Sequence, residues 1–254
     1  MIFITGIGTG IGKTVVSAIV TEALEADYWK PIQAGFEDGT DALQVSSLIS
    51  NKKTIIHPEV YKLQMPASPH ISARNEGASI SIESIVDRLP STDYRSGGQR
   101  LTVKGERSTD YCQPLTEGED GGQRSTAGGQ RSTINSKPLI IEGAGGILVP
   151  LNDNEFVIDL IEQLGAKVIL VSRNYLGSIN HSLLTAAICK QRNIDVIGWI
   201  FNDQYLDYEE EIVRWTGYPK IASIPLTEKI DKAFVLQQAG LVKEALLRLS
   251  ALKR

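Results

Sequence analysis

The sequence has few of the residues that mark disulfide-rich, metal-binding or membrane proteins. Only two cysteines, Cys112 and Cys189, occur among 254 residues, so neither a disulfide framework nor a closely spaced cysteine metal site is expected. No apolar run reaches about 18 residues, so no transmembrane helix is predicted. The first residues lack the basic cluster of a signal peptide and enter a predicted strand at once. Together these absences favour a cytoplasmic protein.

Excess positive charge is also missing. Lysine and arginine number 26 against 30 aspartates and glutamates, which gives a formal net charge of −4. This composition lacks the excess of basic residues that is typical of nucleic-acid-binding proteins, and no nucleic-acid partner is predicted. A local phosphate site remains compatible with it, because such a site needs only a few backbone N–H groups and one or two cations.

The most informative stretch is IFITGIGTGIGKT, from Ile2 to Thr14. Its apolar start predicts a buried strand, and the apolar spacing after Thr14 predicts a helix. Glycines between the two permit a turn with positive φ and a close approach of backbone N–H groups to a ligand. These glycines are Gly6, Gly8, Gly10 and Gly12.

Strand, glycine-rich loop and helix in this order predict a phosphate-binding loop. The Lys13 ammonium is expected to contact the β and γ phosphates of a nucleotide, and the Thr14 hydroxyl to bind Mg²⁺. Five residues separate Gly6 from Gly12, so the loop is one residue longer than the usual motif. The alternative interpretation is a glycine-rich turn that binds no ligand.

Three charged residues near predicted element ends are candidates for the same site. Lys30 lies in the apolar segment 28–32, predicted as the second strand; its ammonium either faces phosphate or extends into solvent. A predicted helix begins at Thr40 or Asp41, either of which is a plausible cap, and Asp41 is either that cap or a Mg²⁺ ligand. Glu142 follows a predicted buried strand at 139–141. Its carboxylate is interpreted as a metal ligand, and the alternative interpretation is a purely structural glutamate.

The remaining sequence alternates predicted strands and helices, apart from one segment. This alternation predicts an α/β fold of P-loop NTPase-like type, with a doubly wound, mostly parallel sheet and helices on both faces. Residues 33–35 are predicted to form a loop at the edge of the sheet that holds the site. One domain spanning residues 1–254 is predicted, and a terminal amphipathic helix at 236–252 is expected to pack on the sheet.

Residues 91–136 have a different composition from the rest of the chain. Gly-Gly-Gln-Arg occurs there three times, beginning at Gly97, Gly121 and Gly128. Apolar residues are sparse and follow neither a helix nor a strand period, so little surface could be buried to offset the entropy of ordering. The segment is predicted to be an inserted low-complexity loop, entering at the edge of the sheet opposite the site.

Several motifs in order resemble those of the dethiobiotin synthetases, which are ATP-dependent enzymes of biotin synthesis. The similarity covers nearly everything outside residues 91–136. The segments that carry it are the long loop Gly6 to Thr14, Lys30 to Gly35, Asp41, Ser68 to His70, Glu142 to Gly146, Leu176 to His181, and Asn202.

The resemblance implies a reaction that uses ATP and Mg²⁺. The family joins CO₂ to 7,8-diaminononanoate through a carbamate, which takes the γ-phosphate of ATP and becomes a carbamic–phosphoric anhydride. The second amine then closes a cyclic urea and releases phosphate. The resemblance also implies a homodimer, because the neighbouring subunit receives the substrate carboxylate in this family.

The resemblance further implies a role for each matching residue. The implied catalytic residues are Lys13, Lys30 and Thr9. Those implied to bind ATP are Gly8, Gly10, Ile11, Gly12, Lys13, Thr14, Val15, Asn202 and Pro225. Those implied to bind Mg²⁺ are Thr14, Asp41 and Glu142. Those implied to bind the substrate are Thr9, Lys30, Ala34, Gly143, Ser178 and Asn180.

Three positions depart from the family pattern. Gly8 replaces a common aspartate, Gly10 often replaces an acidic residue, and Ala34 often replaces a serine. These departures motivate one alternative, a weakened paralogue that binds nucleotide without forming the urea. A second alternative is a ParA/MinD-like partner-switching ATPase, but the signature lysine of that class falls at Gly8 in this chain.

Overall fold

The computed structural model describes residues 1–91, 137–203 and 206–252. Within these ranges the strands are β1 (Ile2–Gly6), β2 (Asp27–Trp29), β3 (Ile32–Ala34), β4 (Ile56–His57), β5 (Tyr61–Leu63), β6 (Leu139–Glu142), β7 (Lys167–Arg173), β8 (Val196–Asn202) and β9 (Lys220–Ile224). The helices are α1 (Lys13–Leu24), α2 (Asp41–Leu48), α3 (Pro69–Asn75), α4 (Ile82–Val86), α5 (Val157–Leu164), α6 (Ser178–Gln191), α7 (Glu209–Thr216) and α8 (Lys232–Leu252).

Seven strands form one parallel sheet in the order β4-β2-β6-β1-β7-β8-β9. β1 is the middle strand, and its Ile2 pairs with Ile140 of β6 and with Lys167 of β7. Because parallel strands end at a common edge, the segments that follow β1, β2 and β6 meet there. The predicted fold class is confirmed by this topology.

A hydrophobic core lies on each face of the sheet. Successive residues of β1 belong to different cores, since side chains alternate along a strand: Phe3 packs in one and Ile4 in the other. The Ile4 core includes apolar residues of α1 and α8, and the Phe3 core includes residues of α5 and α6. Helices therefore cover both faces, and the expected packing of the terminal helix on the sheet is also found.

The predicted strand at 28–32 is wrong as a single element. β2 ends at Trp29 in the large sheet, and the chain resumes as β3 in a separate two-stranded parallel sheet with β5. Pro31 lies between the two and has no N–H to donate to a strand ladder. The loop predicted at 33–35 is likewise corrected, because residues 33 and 34 belong to β3 and only Gly35, with φ of 76°, turns away.

The low-complexity insertion predicted at about 91–136 lies outside the described residues except for Ser91. The described residues on its two sides belong to one compact unit. The single domain with an insertion therefore stays a prediction. Among the described helices, none combines the length and the apolar character that crossing a membrane requires.

Candidate active site

The glycine-rich loop connects β1 to α1 at the carboxyl edge of the sheet. Gly10 and Gly12 have φ of 71° and 86°, and Gly12 is the N-cap residue of α1. A Cβ on Gly12 would lie 2.6 Å from Nδ2 of Asn202. Glycine is therefore favoured at this position by its conformation, and a Cβ would also force the Asn202 side chain to shift.

Lys13 is buried at the start of α1 beneath this loop. Its ammonium donates a hydrogen bond of 2.6 Å to the carbonyl oxygen of Gly8. Burial lowers the pKa of Lys13 to about 8; the negative charge of Glu142 opposes this shift, and the positive charge of Lys30 adds to it. The ammonium is thus held inside the loop, where a nucleotide phosphate is the expected counter-ion.

Three oxygen-bearing side chains converge at the first turn of α1. Oγ1 of Thr14 lies 3.0 Å from Oδ1 of Asp41 and 3.0 Å from Oε1 of Glu142. The three side chains come from α1, from the first residue of α2 and from the last residue of β6. A hydroxyl has one proton and can donate to only one of the two carboxylates at a time.

These oxygens suit a hard cation such as Mg²⁺, which prefers carboxylate and hydroxyl ligands. The described residues contain no group of three or more histidines, cysteines, aspartates or glutamates placed to hold a metal alone. Two carboxylates and one hydroxyl match the usual protein contribution at a nucleotide site, where phosphates and water supply the remaining ligands. The donor set therefore fits Mg²⁺ bound together with a nucleotide.

Lys30 follows β2 directly and is buried against the same carboxylates. Its ammonium pairs with Oδ2 of Asp41 and lies 3.2 Å from Oε1 of Glu142. Only 7% of the Lys30 side chain is exposed, so the alternative in which its head extends into solvent is wrong. The lysine places positive charge at the edge of the sheet where the phosphate loop ends.

Glu142 is almost completely buried but remains anionic. Burial alone would raise its pKa, yet the charge of Lys30 and a hydrogen bond from Tyr28, with a further contribution from Lys13, outweigh burial, and the net pKa is lowered. The Tyr28 hydroxyl donates to Oε2 of Glu142 at 2.9 Å. The negative charge of Glu142 is therefore maintained by its neighbours.

Asp41 is not the cap of its helix. The N-cap residue of α2 is Thr40, whose side chain accepts a hydrogen bond from the N–H of Leu43. The backbone N–H of Asp41 donates to Oε1 of Gln33 at 3.2 Å. The Asp41 carboxylate is thus directed to Thr14 and Lys30, which supports the ligand interpretation over the cap.

A cavity of about 720 Å³ opens in front of these charged groups. Among the residues predicted for the site, its lining includes Thr9, Gly10, Gly12, Lys13, Thr14, Val15, Lys30, Ala34, Asp41 and Glu142. Ser68 and Pro69, from the Ser-Pro-His segment, and Gly145 line the same cavity. The volume suffices for phosphate groups and an organic substrate together.

A smaller cavity of about 140 Å³ lies on the other side of the loop. It is lined by Ile11, Val15, Asn202 and Pro225, which were predicted to bind ATP. Nδ2 of Asn202 donates a hydrogen bond of 2.6 Å to the carbonyl oxygen of Ile11. The end of β8 is thereby tied to the phosphate loop.

Four predicted site residues line neither of these two cavities. Gly8 borders a neighbouring cavity, and Gly143 donates its N–H to the carbonyl oxygen of Ile4 at 2.9 Å. Ser178 is buried with its hydroxyl 2.7 Å from that of Tyr208, and Asn180 is exposed on α6. Within one chain the start of α6 is therefore separate from the charged groups.

Sequence reasoning missed three residues that contact the site. Tyr28 binds Glu142, Gln33 binds the backbone of Asp41, and Nε of Arg173 lies 2.5 Å from Asp203 beside the smaller cavity. A hydroxyl-bearing side chain in a buried strand was the available signal for the first. Gln33 belongs to the segment 33–35 that the sequence placed at this edge, but its contact with Asp41 was not predicted. Arg173 gave no signal, since its role depends on elements distant in sequence.

The parallel sheet, the glycine-rich loop with its buried lysine, and the threonine beside two carboxylates define a P-loop nucleotide-binding protein. Residues 1–233 match a family model described as an AAA domain. The ATP-dependent dethiobiotin synthetase of Cytophaga hutchinsonii is 44% identical over 238 residues, which cover 93% of this chain and 94% of that protein. The enzyme of the same name from Christiangramia forsetii is 40% identical, covering 86% of this chain and 84% of that protein.

This chain belongs to the family of ATP-dependent dethiobiotin synthetases. The resemblance found in the sequence is confirmed. Among solved structures, the MinD cell division protein of Aquifex aeolicus is similar with a TM-score of 0.49 and 17% identity, covering 98% of this chain and 96% of that one. A similarity of this size says nothing about activity. Membership of the synthetase family favours a synthetase over the ParA/MinD-like alternative.

Proposed function

We propose that this protein converts 7,8-diaminononanoate, CO₂ and ATP into dethiobiotin, ADP and phosphate. The observation that carries the proposal is the convergence of Lys13, Lys30 and the oxygens of Thr14, Asp41 and Glu142 on one cavity. The names of the relatives supply the substrate class.

ATP is proposed to lie along the glycine-rich loop, with its phosphates toward the large cavity and its base in the smaller one. The N–H groups at the start of α1 and the Lys13 ammonium bind the phosphates. Asn202 holds the loop through Ile11, and Pro225 lines the base cavity. In this proposed arrangement the γ-phosphate lies near Lys30 and Thr9.

Mg²⁺ is proposed to be held by Thr14, Asp41 and Glu142 together with the nucleotide phosphates. When bound, it neutralises phosphate charge and orients the γ-phosphate. The ammonium of Lys30 contacts the carboxylates of Asp41 and Glu142. The fold of the protein itself therefore brings positive and negative groups together at the proposed Mg²⁺ site. Catalysis then depends largely on positioning and on electrostatic stabilisation.

The proposed chemistry is the one that the resemblance to the family implies, and the charges in the cavity suit it. One substrate amine adds to CO₂ and loses a proton, which forms a carbamate with a new C–N bond. A carbamate oxygen attacks the γ-phosphorus as the bond to ADP breaks, and Lys13 and Lys30 offset the repulsion between these anions. The second amine attacks the carbonyl carbon, phosphate departs, and loss of a proton leaves the cyclic urea.

A homodimer is proposed to complete the substrate site. Ser178 and Asn180 lie at the N-terminus of α6 and do not reach the large cavity of their own chain. Backbone N–H groups at a helix N-terminus bind carboxylates. The start of α6 from a second copy is therefore the proposed receptor for the carboxylate tail of the substrate.

The proposal is tested by product identification. Purified protein is incubated with ATP, Mg²⁺, 7,8-diaminononanoate and ¹³C-labelled bicarbonate, and the product is analysed by mass spectrometry. Dethiobiotin with one ¹³C atom in the urea carbonyl is expected, and Lys13→Ala should yield none. Intact diamine after prolonged incubation with active, folded protein would overturn the proposal.

A further inference from the structure

Tyr28 and Glu142 lie on neighbouring strands of the sheet. β2 and β6 are parallel partners, and Tyr28 pairs with Ile140. Glu142 is two residues beyond Ile140, so its side chain points to the same face of the sheet as that of Ile140. On β6, Glu142 is therefore the next residue after Ile140 on the face that Tyr28 shares. The Tyr28 ring reaches its carboxylate by extending along the strand direction by that one step.

The contact between these two side chains is short and buried. The Tyr28 hydroxyl donates to Oε2 of Glu142 at 2.9 Å, and neither residue has more than 1% of its surface exposed. A buried hydroxyl or carboxylate without a hydrogen-bond partner destabilises the folded state. The hydrogen bond between Tyr28 and Glu142 gives both groups a partner. The ring itself packs in the core that contains Ile4 and Ile140, which fixes its position.

This bond divides the two oxygens of Glu142 between different partners. Oε2 accepts the hydrogen bond from Tyr28, while Oε1 lies 3.0 Å from Oγ1 of Thr14 and 3.2 Å from Nζ of Lys30. A carboxylate on a single bond can otherwise rotate and exchange its oxygens. With Oε2 held against the core, Oε1 alone faces the phosphate loop.

We propose that Tyr28 is a positioning residue that orients Glu142 so that one carboxylate oxygen faces the Mg²⁺ of the bound nucleotide. The inference rests on the Mg²⁺ role given to Glu142 in the proposed function, but it does not require that the diamine be the substrate. Partners that orient a metal-binding carboxylate commonly alter metal affinity by about tenfold or more when they are removed.

The test compares variants in the Mg²⁺ dependence of binding to a non-hydrolysable ATP analogue. Tyr28→Phe keeps the ring and its packing but removes the hydroxyl. It should raise the Mg²⁺ concentration for half-maximal binding about tenfold. The matched control is Tyr61→Phe, which removes a hydroxyl that accepts a 3.0 Å hydrogen bond from the N–H of Ser81. That control should shift the Mg²⁺ concentration less than about twofold.

A second background separates positioning from a general loss of structure. In Glu142→Gln, the further change Tyr28→Phe should alter the Mg²⁺ dependence less than about twofold, because the carboxylate that Tyr28 orients has already been replaced by an uncharged amide, a poor Mg²⁺ ligand. Equal shifts from Tyr28→Phe with and without Glu142→Gln, or no shift in either, would overturn the inference. Thermal unfolding without nucleotide verifies that each variant is folded.

Failure of this inference and failure of the proposed function give different results. A wild-type protein that makes dethiobiotin while Tyr28→Phe leaves the Mg²⁺ dependence unchanged would refute only the role of Tyr28. A tenfold shift in a protein that forms no dethiobiotin would support the role of Tyr28 and refute the substrate.

Discussion

The ammonium of Lys30 lies 3.2 Å from Oε1 of Glu142, although the two residues are 112 positions apart in sequence. They meet because β2 and β6 are parallel neighbours and both residues lie at the carboxyl ends of those strands. A buried ion pair is costly to desolvate, and a pair of apolar side chains would often be at least as stable. The pair is therefore better explained by the chemistry of the site than by stability.

Removing Lys30 should separate its structural effect from its catalytic one. Lys30→Met leaves Glu142 buried without its closest cation, and loss of about 3 kcal/mol in the free energy of unfolding is expected. Mg²⁺ with an ATP analogue should recover more stability in this variant than in the wild type, because the metal replaces the missing charge. Turnover should still be lost, since the metal does not replace the lysine beside the carbamate.

Thermal unfolding with and without Mg²⁺ and the analogue measures both effects. Lys53→Met is the matched control, because Lys53 makes an exposed pair with Glu25 and its removal should change stability little. A Lys30→Met protein with wild-type turnover would contradict the catalytic role.

Lys13 should give nucleotide binding a distinct pH dependence. Its pKa is lowered to about 8, so rising pH removes the ammonium charge well before an ordinary lysine would lose it. Affinity for ADP in the presence of Mg²⁺ should therefore be level between about pH 7 and pH 8, where the terminal phosphate of ADP stays ionised, and fall above it. Calorimetric titration across this range measures the change.

The variant Lys13→Ala provides the comparison. It should bind nucleotide weakly, lack the fall above about pH 8, and show no turnover. Wild-type affinity that stays level to about pH 9.5 would mean that Lys13 keeps its charge or does not bind phosphate.

Two glycines of the loop should respond differently to the same substitution. Gly12→Ala forces a Cβ to within 2.6 Å of Asn202 at a φ of 86°, where an L-residue costs about 1–2 kcal/mol through conformation alone. Gly8→Ala meets no atom within 4 Å. Gly12→Ala should lower the unfolding midpoint and weaken nucleotide binding, whereas Gly8→Ala should retain both. Similar losses in the two variants would refute this account of the loop.

Asn202 should matter through the loop as well as through any contact with the base. Asn202→Ala removes the 2.6 Å hydrogen bond to Ile11 and leaves a carbonyl oxygen without that donor, at a cost of about 1–3 kcal/mol. The unfolding midpoint without nucleotide should fall, and nucleotide affinity should also fall, because the loop that binds the nucleotide is less firmly held. Asn154→Ala, at an exposed position, is the control and should change neither. An unchanged midpoint in Asn202→Ala would show that the hydrogen bond does not stabilise the loop.

Deleting residues 95–132 should leave turnover within about twofold of the wild type. The deleted residues lie outside the described part of the chain, but the segment rejoins it at the amino end of β6. Glu142 lies at the opposite end of that strand. Steady-state kinetics and gel filtration of the deletion variant test this, and loss of active protein would show that the segment has a structural role.

The sequence predicted the phosphate loop and the sheet well because both depend on local patterns. The run Ile2–Ile4, the glycines and the apolar spacing of α1 are each readable within a few residues. Asp41 and Glu142 were found as candidates because strand ends and helix starts are also local features. Predicting that both carboxylates meet at Thr14 required the order of the strands in the parallel sheet.

Other features could not be read locally. The break between β2 and β3 depends on Pro31 and on a second sheet formed with β5, which pairs Ile32 with Tyr61 from a later part of the chain. Tyr28 carries a hydroxyl in a buried strand, but the partner of that hydroxyl could not be named until the neighbouring strand was known. The role of the α6 N-terminus depends on a second subunit, so it remains a prediction.

The most direct test of the account is phosphate release from ATP with Mg²⁺ and bicarbonate, measured with and without 7,8-diaminononanoate. The account predicts that release depends on the diamine and that one phosphate accompanies each dethiobiotin formed. Phosphate release that is equal with and without the diamine, and that yields no cyclic urea, would contradict it. Such a result would identify the protein as a nucleotide hydrolase with another partner or as a weakened member of the family.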